Sequence, residues 1–392
     1  MLPFTHSRRS SAILAFFLVA FLLLLWKHEE ATATLPSSIS SLTPAVWSDY
    51  LSAGDVAPLV GTANATLGFD AILAVSPYST WRSDGLHAAA RRTNLSVTIT
   101  PQRPPTPEEV TEFLARNLAG NLNEGSAKAW LGHLQVLEAA RNFSSALIME
   151  DDADWDVKIH EQAALVAEAV RNLTVPKTET REWPWGEDWD VIWLGHCGER
   201  LPYEDEDDAG DVIEEESGEA EQNESLEVKV KAPTTAEKKM ERRSPLPPGM
   251  VPGEDDYITL YDPTLPPTIG SYDPRMSGDS QETRWVQHAA GPICTFAYAV
   301  TGASVARMLA MKHGNEQAFD LWMHTRCRNR ELRCFTVNPE MFHHHIAAGL
   351  PSSLVNEGQV DNGGKNYTEN IMYSARCNWN RPDDQLISCR SR

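Results

Sequence analysis

The chain has 392 residues, of which 42% are hydrophobic, and its formal net charge at pH 7 is -21. That length and hydrophobic content fit one large folded domain, or two small ones, with a real core. The negative charge argues against nucleic-acid binding, because proteins of that class carry basic surfaces that contact the phosphates.

The N-terminal segment predicts a membrane anchor. Residues 12–26 carry no charge and no proline, and Arg8 and Arg9 precede them. Because positive charge favours the cytoplasmic side, we expect a cytoplasmic tail over 1–11 and a transmembrane signal-anchor over 12–26. Cleavage as a signal peptide is the alternative. The anchor reading predicts a single-pass type II protein of the Golgi or endoplasmic reticulum membrane with a lumenal body.

Two further features fit a lumenal body. An Asn-x-Ser/Thr sequon, the acceptor pattern of N-glycosylation, occurs at Asn64, Asn94, Asn142, Asn172, Asn223 and Asn366. The six cysteines form an even set that could pair in fifteen ways in an oxidising compartment. The pairs closest in sequence are Cys327 with Cys334 and Cys377 with Cys389.

Composition divides the remainder of the chain. Residues 27–65 are rich in Ala, Ser, Thr and Pro and are interpreted as a stem. Residues 66–199 and 255–392 have the composition of a folded domain, and we interpret them as the two parts of one domain. Between them, residues 200–254 combine dense acidic charge with many prolines, which predicts a disordered insertion.

The folded part alternates between the two periodicities. Thr106-Pro107-Glu108-Glu109 has the pattern of a capping box with proline at the first helical position, so a helix begins there. Strands are predicted at 69–75, 95–100, 146–149, 190–195, 294–300 and 333–337. Further helices are predicted at 83–93, 126–141, 302–312 and 319–330. Such alternation predicts an α/β fold with a largely parallel sheet covered by helices.

The most informative motif is the predicted strand that runs into acids at Glu150, Asp151, Asp152 and Asp154. Open α/β sheets bind ligands at the carboxyl ends of their strands. Carboxylates that converge there repel one another unless a cation neutralises them, and Mg²⁺ or Mn²⁺ often binds such oxygens together with substrate phosphates. The motif therefore suggests a metal site for the diphosphate of an activated substrate, and a solvated acidic turn is the alternative.

Several segments together resemble glycosyltransferase family 25, which includes lipopolysaccharide sugar transferases and collagen galactosyltransferases. The segments that carry the resemblance are Asp70 to Val75 with Trp81-Arg82, Gly125 to His133, Ala146 to Ala153, Asp190 to Gly195, Ala297 to Ala303 and Asp320. They cover most of residues 69–345.

The resemblance implies an A-type glycosyltransferase fold, which is Rossmann-like with helices on both faces of the sheet. In that fold residues 66–199 would be the nucleotide-sugar-binding part of the catalytic domain, and residues 255–392 would be the remainder, including the acceptor side. It implies transfer of a hexose, galactose or glucose, from a nucleotide-diphosphate sugar such as UDP-galactose or UDP-glucose. The acceptor would be a hydroxyl group of a glycan or protein, and the anomeric centre would invert. A divalent cation, Mn²⁺ or Mg²⁺, would stabilise the diphosphate leaving group.

Candidate residues follow from this resemblance. Glu150 and Asp152 are assigned to the metal and diphosphate, with Asp151 and His133 on the donor side. Asp320 is the candidate base or acceptor-binding residue.

Each of the less certain assignments has a structural alternative. Asp154 is either a spare metal ligand or an exposed loop acid, and Asp320 could instead be a helix N-cap. His133 could be a core histidine. One residue of His343-His344-His345, taken as His344, could complete the metal coordination, with a surface histidine cluster as the alternative.

Two other functions remain open from the sequence. The first is a catalytically inactive lumenal protein of the same fold that binds glycans or a partner. The second is a metal-dependent phosphohydrolase, although that class draws ligands from many strand ends and one acidic strand end is evident here. The aromatic residues Trp183, Trp185 and Trp189 could stack on a sugar ring, but core packing is the commoner role.

Overall fold

The computed structural model describes residues 61–78, 80–117, 122–174, 183–199, 257–271, 273, 277–311, 317–350 and 365–389. These residues belong to one compact unit, Pro58–Arg392. The predicted tail, anchor and stem up to residue 60, and the predicted insertion at 200–254, lie outside the described residues. Within the ranges given above, none of the helices has the length and apolar character needed to cross a membrane.

The described chain contains thirteen strands and six longer helices. The strands are β1 (Ala71–Val75), β2 (Val97–Ile99), β3 (Ser145–Glu150), β4 (Ala153–Trp155), β5 (Val191–Gly195), β6 (Tyr257–Tyr261), β7 (Thr268–Ile269), β8 (Gly278–Asp279), β9 (Thr283–His288), β10 (Ala297–Thr301), β11 (Cys334–Asn338), β12 (Phe342–Ile346) and β13 (Tyr367–Thr368). The helices are α1 (Trp81–Arg92), α2 (Pro107–Arg116), α3 (Glu124–Ala140), α4 (Ile159–Leu173), α5 (Gly302–Ala310) and α6 (Phe319–Arg328).

The central sheet has eight strands in the order β2-β1-β3-β10-β5-β11-β9-β6. Six of them point the same way, whereas β10 is antiparallel to both β3 and β5, and β9 is antiparallel to β11 and β6. The sheet is thus mixed but mostly parallel, which confirms the predicted α/β class. Since β1, β3, β5 and β11 run in parallel, their carboxyl ends meet at one edge of the sheet.

Helices cover both faces of this sheet, and its central strands are therefore buried on both sides. Along β3, Leu147 and Met149 belong to the cluster that contains α4 residues, whereas Ala146 and Ile148 belong to the cluster that contains Trp130 of α3. The period-2 alternation of a strand sends neighbouring side chains into opposite cores. The continuous apolar run of β3 therefore reflects burial of the strand on both of its faces, as predicted.

A small second sheet has the order β13-β12-β4 and contains the histidine run. His343 lies opposite Asp154, and His344 lies opposite Ala153. His343 and His345 are buried. The alternative of a surface histidine cluster is therefore wrong, because these residues form a paired strand that the short sequence pattern did not reveal.

All six cysteines are paired, as Cys197–Cys294, Cys327–Cys334 and Cys377–Cys389. Disulfide bonding is thus a feature of the fold. The first pair also joins the two sides of the predicted insertion, where the Cys197 amide donates to the Ile293 carbonyl at 3.0 Å. The two segments that flank the predicted insertion are therefore neighbours in the fold.

We predict a pH-dependent contribution of Asp156 to stability. This carboxylate is buried and accepts hydrogen bonds from the amides of Lys158 and Tyr373 at 2.8 and 2.7 Å. Burial raises the pKa of Asp156 to about 7. Between its ordinary pKa and pH 7 the folded state keeps a proton that the unfolded state has lost, so the stability contribution falls as pH rises through this window.

The variant Asp156→Asn cannot titrate there. We expect the free energy of unfolding of the parent, taken relative to this variant, to fall by about 2–3 kcal/mol between pH 5 and pH 8. Urea unfolding of both proteins at the two pH values measures the difference. A parent-to-variant difference that stays constant with pH would refute the assigned cause.

Candidate functional site

The acids lie where the parallel strands end. Glu150 is the last residue of β3, opposite Val75 at the end of β1, and Asp151 and Asp152 follow it directly. Ser76, just after β1, donates a hydrogen bond from its hydroxyl to Asp151 Oδ2 at 2.9 Å. Asp151 is 6% exposed and Asp152 is 4% exposed. The alternative of a solvated acidic turn is therefore wrong.

Arg82 provides a positive charge inside this acidic group. Helix α1 begins with a capping box between Thr80 and Ser83, which fixes its first turn. Arg82, in that turn, forms an ion pair with Asp152 through its Nη2, and its Nε lies 3.4 Å from Asp151 Oδ1. Burial raises the pKa of Asp151, although Arg82 opposes this. One guanidinium thus pairs with two neighbouring carboxyl groups.

A second arginine, Arg376, binds the backbone of the acidic turn, which is formed by residues 150–153. Arg376 is buried and donates hydrogen bonds to the carbonyls of Asp151, Ala153 and Arg82 at 2.5, 2.9 and 3.1 Å. Burial lowers the pKa of Arg376 to about 10, so the side chain is still charged at neutral pH. Gly85 of α1 leaves room for it, since a Cβ there would lie 2.3 Å from Arg376 Nη1.

Residues 294–296 line the other side of the acids. The Glu150 amide donates to the Phe296 carbonyl at 3.0 Å, and Thr295 Oγ1 donates to Glu150 Oε1 at 2.7 Å. The Phe296 ring lies 4.9 Å from the His343 ring and 4.8 Å from the His344 ring. This segment therefore connects the end of β3 with the histidine strand β12.

His133 is a core residue that also lies near Glu150. Its ring stacks on Phe319 at 4.2 Å, and its Nδ1 lies 3.0 Å from the Tyr298 hydroxyl. Its Nε2 lies 3.7 Å from Glu150 Oε1. Burial alone would raise the pKa of Glu150, but the interactions with His133, Thr295 and Arg82 outweigh it and lower that pKa. His133 thus favours the ionised form of Glu150.

His344 has the properties of an available ligand. It is half-buried, and its Nδ1 has no hydrogen-bond partner. Burial lowers the pKa of His344 to about 4, and the charge of Glu150 opposes the shift. The imidazole is therefore neutral at physiological pH, which is the form that binds metal ions.

Asp154 lies in the small second sheet and is fully buried, so it is not an exposed loop acid. Its Oδ2 accepts hydrogen bonds from the hydroxyls of Ser374 and Thr368, the second at 2.6 Å. Its Oδ1 accepts from the amides of Arg376 and Trp155 at 3.1 and 2.9 Å. Because both oxygens are already engaged by the protein, we assign Asp154 a structural role.

Asp320 lies in the first turn of α6 and is half-buried. The N-cap of this helix is Ala318, so the N-cap alternative for Asp320 is wrong. Instead, Asp320 Oδ2 accepts a hydrogen bond from the Cys294 amide at 2.9 Å. Through Cys294 it is connected to Thr295, which contacts Glu150.

The carboxylate oxygens of the acidic group and the imidazole nitrogen of His344 are the types of ligand atom that a divalent cation such as Mn²⁺ binds. Asp152 Oδ1 is buried and has no hydrogen-bond partner, and His344 Nδ1 shares this property. Among the residues that the structure describes, the possible ligand atoms of His345, Cys377 and Cys389 form the group of three that lie within 4.8 Å of one another. Two of those residues, Cys377 and Cys389, form a disulfide. Side chains of the acidic group would therefore have to turn toward an ion, and Asp152 would have to share or leave Arg82.

Sequence reasoning did not assign a role to several residues of this site. Arg82 lies within the segments that resemble the family. The capping box that begins at Thr80 was the sequence feature that could have indicated the position of Arg82 in a first helical turn. Arg376 had no signal, because its partners lie 225 and 294 positions away in the chain. The core role is confirmed for Trp185 and Trp189, which are buried, and Trp185 stacks on Phe69 at 4.8 Å. Trp183 is half-buried.

No protein-family model matches this chain, and no curated protein matches it either. The resemblance to glycosyltransferase family 25 therefore rests on the motifs themselves.

Proposed function

We propose that this protein is a metal-dependent glycosyltransferase that transfers a hexose, galactose or glucose, from a nucleotide-diphosphate sugar to a hydroxyl group of a glycan or protein. The observation that carries the proposal is the acidic group of Glu150, Asp151 and Asp152 at the carboxyl end of β3, with the unpartnered nitrogen of His344 on the strand beside it. Oxygen ligands with one imidazole suit Mn²⁺ or Mg²⁺.

Glu150, Asp152 and His344 would hold the cation, and Asp154 is left out of the set. When bound, the cation would act as a Lewis acid toward the diphosphate leaving group. Arg82 can contribute directly, because its guanidinium lies among the carboxylates and matches the geometry of phosphate oxygens. His133 supports the ionised state of Glu150, and Asp151 is anchored by Ser76.

Transfer with inversion also needs a group that accepts the proton of the acceptor hydroxyl. Asp320 is the candidate in this proposal. Its Oδ2 is oriented by the Cys294 amide, and residues 294–296 connect it with Glu150. The hydroxyl oxygen would bond to the anomeric carbon as the bond from that carbon to the diphosphate oxygen breaks, and the hydroxyl proton would pass to Asp320.

A lumenal location in the secretory pathway is part of the proposal. Three disulfides fit an oxidising compartment. Five of the six sequon asparagines are in described parts of the chain, and all five are exposed there: Asn64, Asn94, Asn142, Asn172 and Asn366. Exposure is what a glycosylation acceptor needs.

The test is a donor screen on the full-length protein. UDP-galactose, UDP-glucose and other nucleotide sugars are incubated with Mn²⁺, and release of the free nucleotide is measured. We expect release with one or a few donors, and a chelator should stop it.

A further inference from the structure

A second group of buried polar side chains surrounds a cavity of about 330 Å³ beside the acids. This volume is near the lower limit of the volumes found for small-molecule pockets. The residues that give the cavity its chemistry are His196, Asn338, Glu340, His343, Glu369 and Asn370. His196 follows the end of β5, Asn338 is the last residue of β11, and Glu340 follows it. His343 belongs to β12 of the small second sheet, and Glu369 and Asn370 follow β13.

The cavity adjoins the acidic group at the same edge of the sheet. β5 and β11 are parallel neighbours, and their carboxyl ends open on this side. His343 lines the cavity, whereas the adjacent His344 carries the unpartnered nitrogen of the proposed metal site. The Phe296 ring packs against both histidines, and its carbonyl accepts the Glu150 amide. A molecule in the cavity would therefore lie next to the proposed donor site.

Two buried nitrogen atoms of the lining have no hydrogen-bond partner: Asn338 Nδ2 and His196 Nδ1. The other ring nitrogen of His196 lies 2.9 Å from the Val337 carbonyl, which can only accept, so that nitrogen carries the proton. His196 Nδ1 is then an acceptor, whereas Asn338 Nδ2 is a donor. A buried polar atom without a hydrogen-bond partner destabilises the protein, so a ligand that satisfies both atoms is favoured.

The charge of the lining narrows the class of ligand. No lysine or arginine is found among the described residues that line the cavity, and two of those residues, Glu340 and Glu369, are acidic. A phosphate or a nucleotide would find no positively charged partner among these residues. Hydroxyl groups both donate and accept, as this lining requires, and a neutral sugar carries several of them.

We propose that this cavity binds a neutral sugar of the acceptor, whose hydroxyl groups would donate hydrogen bonds to His196 Nδ1 and Glu340 and accept one from Asn338 Nδ2. The inference rests on the proposed function and names the acceptor side of the same site. Glu340 is buried, and its Oε1 is held by Asn370 Nδ2 at 2.9 Å. The acceptor would enter opposite the donor, with residues 294–296 between the two.

The test uses the full-length protein and the methyl glycosides of galactose, glucose and N-acetylglucosamine as probes. Binding is measured by saturation-transfer NMR, and donor hydrolysis to water is measured in parallel with Mn²⁺. Ser271→Trp narrows the cavity from its half-buried rim without changing the core, and Glu340→Gln alters the carboxyl group alone. Thr111→Trp and Glu138→Gln are matched controls at exposed positions away from the cavity.

We expect at least one glycoside to bind the parent and both controls, and to bind Ser271→Trp at least about tenfold more weakly. Glu340→Gln should weaken binding as well, while donor hydrolysis stays at the parent rate in the two controls. The proposal is overturned when no glycoside binds the parent, or when Ser271→Trp and Glu340→Gln bind as the parent does. Glycoside binding that depends on the cavity, in a protein that hydrolyses no donor, would instead refute the proposed function and leave a sugar-binding site.

Discussion

The variant Asp152→Asn should lose at least about a hundredfold in the rate of nucleotide release, equivalent to about 2.7 kcal/mol of transition-state stabilisation. The substitution removes a negative charge from the group that we propose holds the cation under the diphosphate. An amide can still accept the hydrogen bond from Arg82 that Asp152 accepts now. The fold should therefore persist, as judged by circular dichroism and thermal unfolding.

The matched control for this variant is Asp84→Asn, an exposed acid in the first turn of α1. It removes the same charge from the same region of the protein but not from the acidic group. It should release nucleotide at the parent rate. A rate for Asp152→Asn within about threefold of the parent, less than 1 kcal/mol, would remove Asp152 from the site.

Arg376→Met should lower the free energy of unfolding by about 3–5 kcal/mol, which is the range found when one partner of a buried ion pair is removed. Three backbone carbonyls would lose their donor, and the buried Asp154 would lose a nearby positive charge. Because those carbonyls belong to the acidic turn and to α1, nucleotide release should fall as well. Urea unfolding at pH 7 measures the change in stability.

Arg381→Met is the matched control, since Arg381 is exposed and lies five residues further along the chain. We expect it to change stability by less than about 0.5 kcal/mol, as is usual at surface positions. If Arg376→Met is no less stable than this control, then Arg376 does not hold the acidic turn in the way we describe.

Local sequence patterns predicted much of the central sheet. The capping box at Thr106 and Glu109 is present, with Pro107 at the start of the helix. The strand before the acids and the amphipathic helix α3 lie within one or two residues of their predicted bounds. These features are encoded within single segments, where periodicity and capping residues decide the structure.

The parts that were not predicted depend on long-range contacts. Strands β4 and β12 are short, and they pair with each other from distant parts of the chain. For the same reason the direction of β10 could not be read from its apolar run. Arg376 and the cavity lining come together through tertiary structure alone, so composition and spacing gave no sign of them.

The measurement that tests the central claim most directly is nucleotide release by the full-length protein from UDP-galactose and UDP-glucose. It is made with Mn²⁺, with Mn²⁺ and excess EDTA, and with Asp152→Asn in place of the parent. We predict release by the parent from at least one donor, and loss of that release both with EDTA and in the variant. Absence of release by a folded parent with every donor, or release that EDTA leaves unchanged, would contradict a metal-dependent glycosyltransferase.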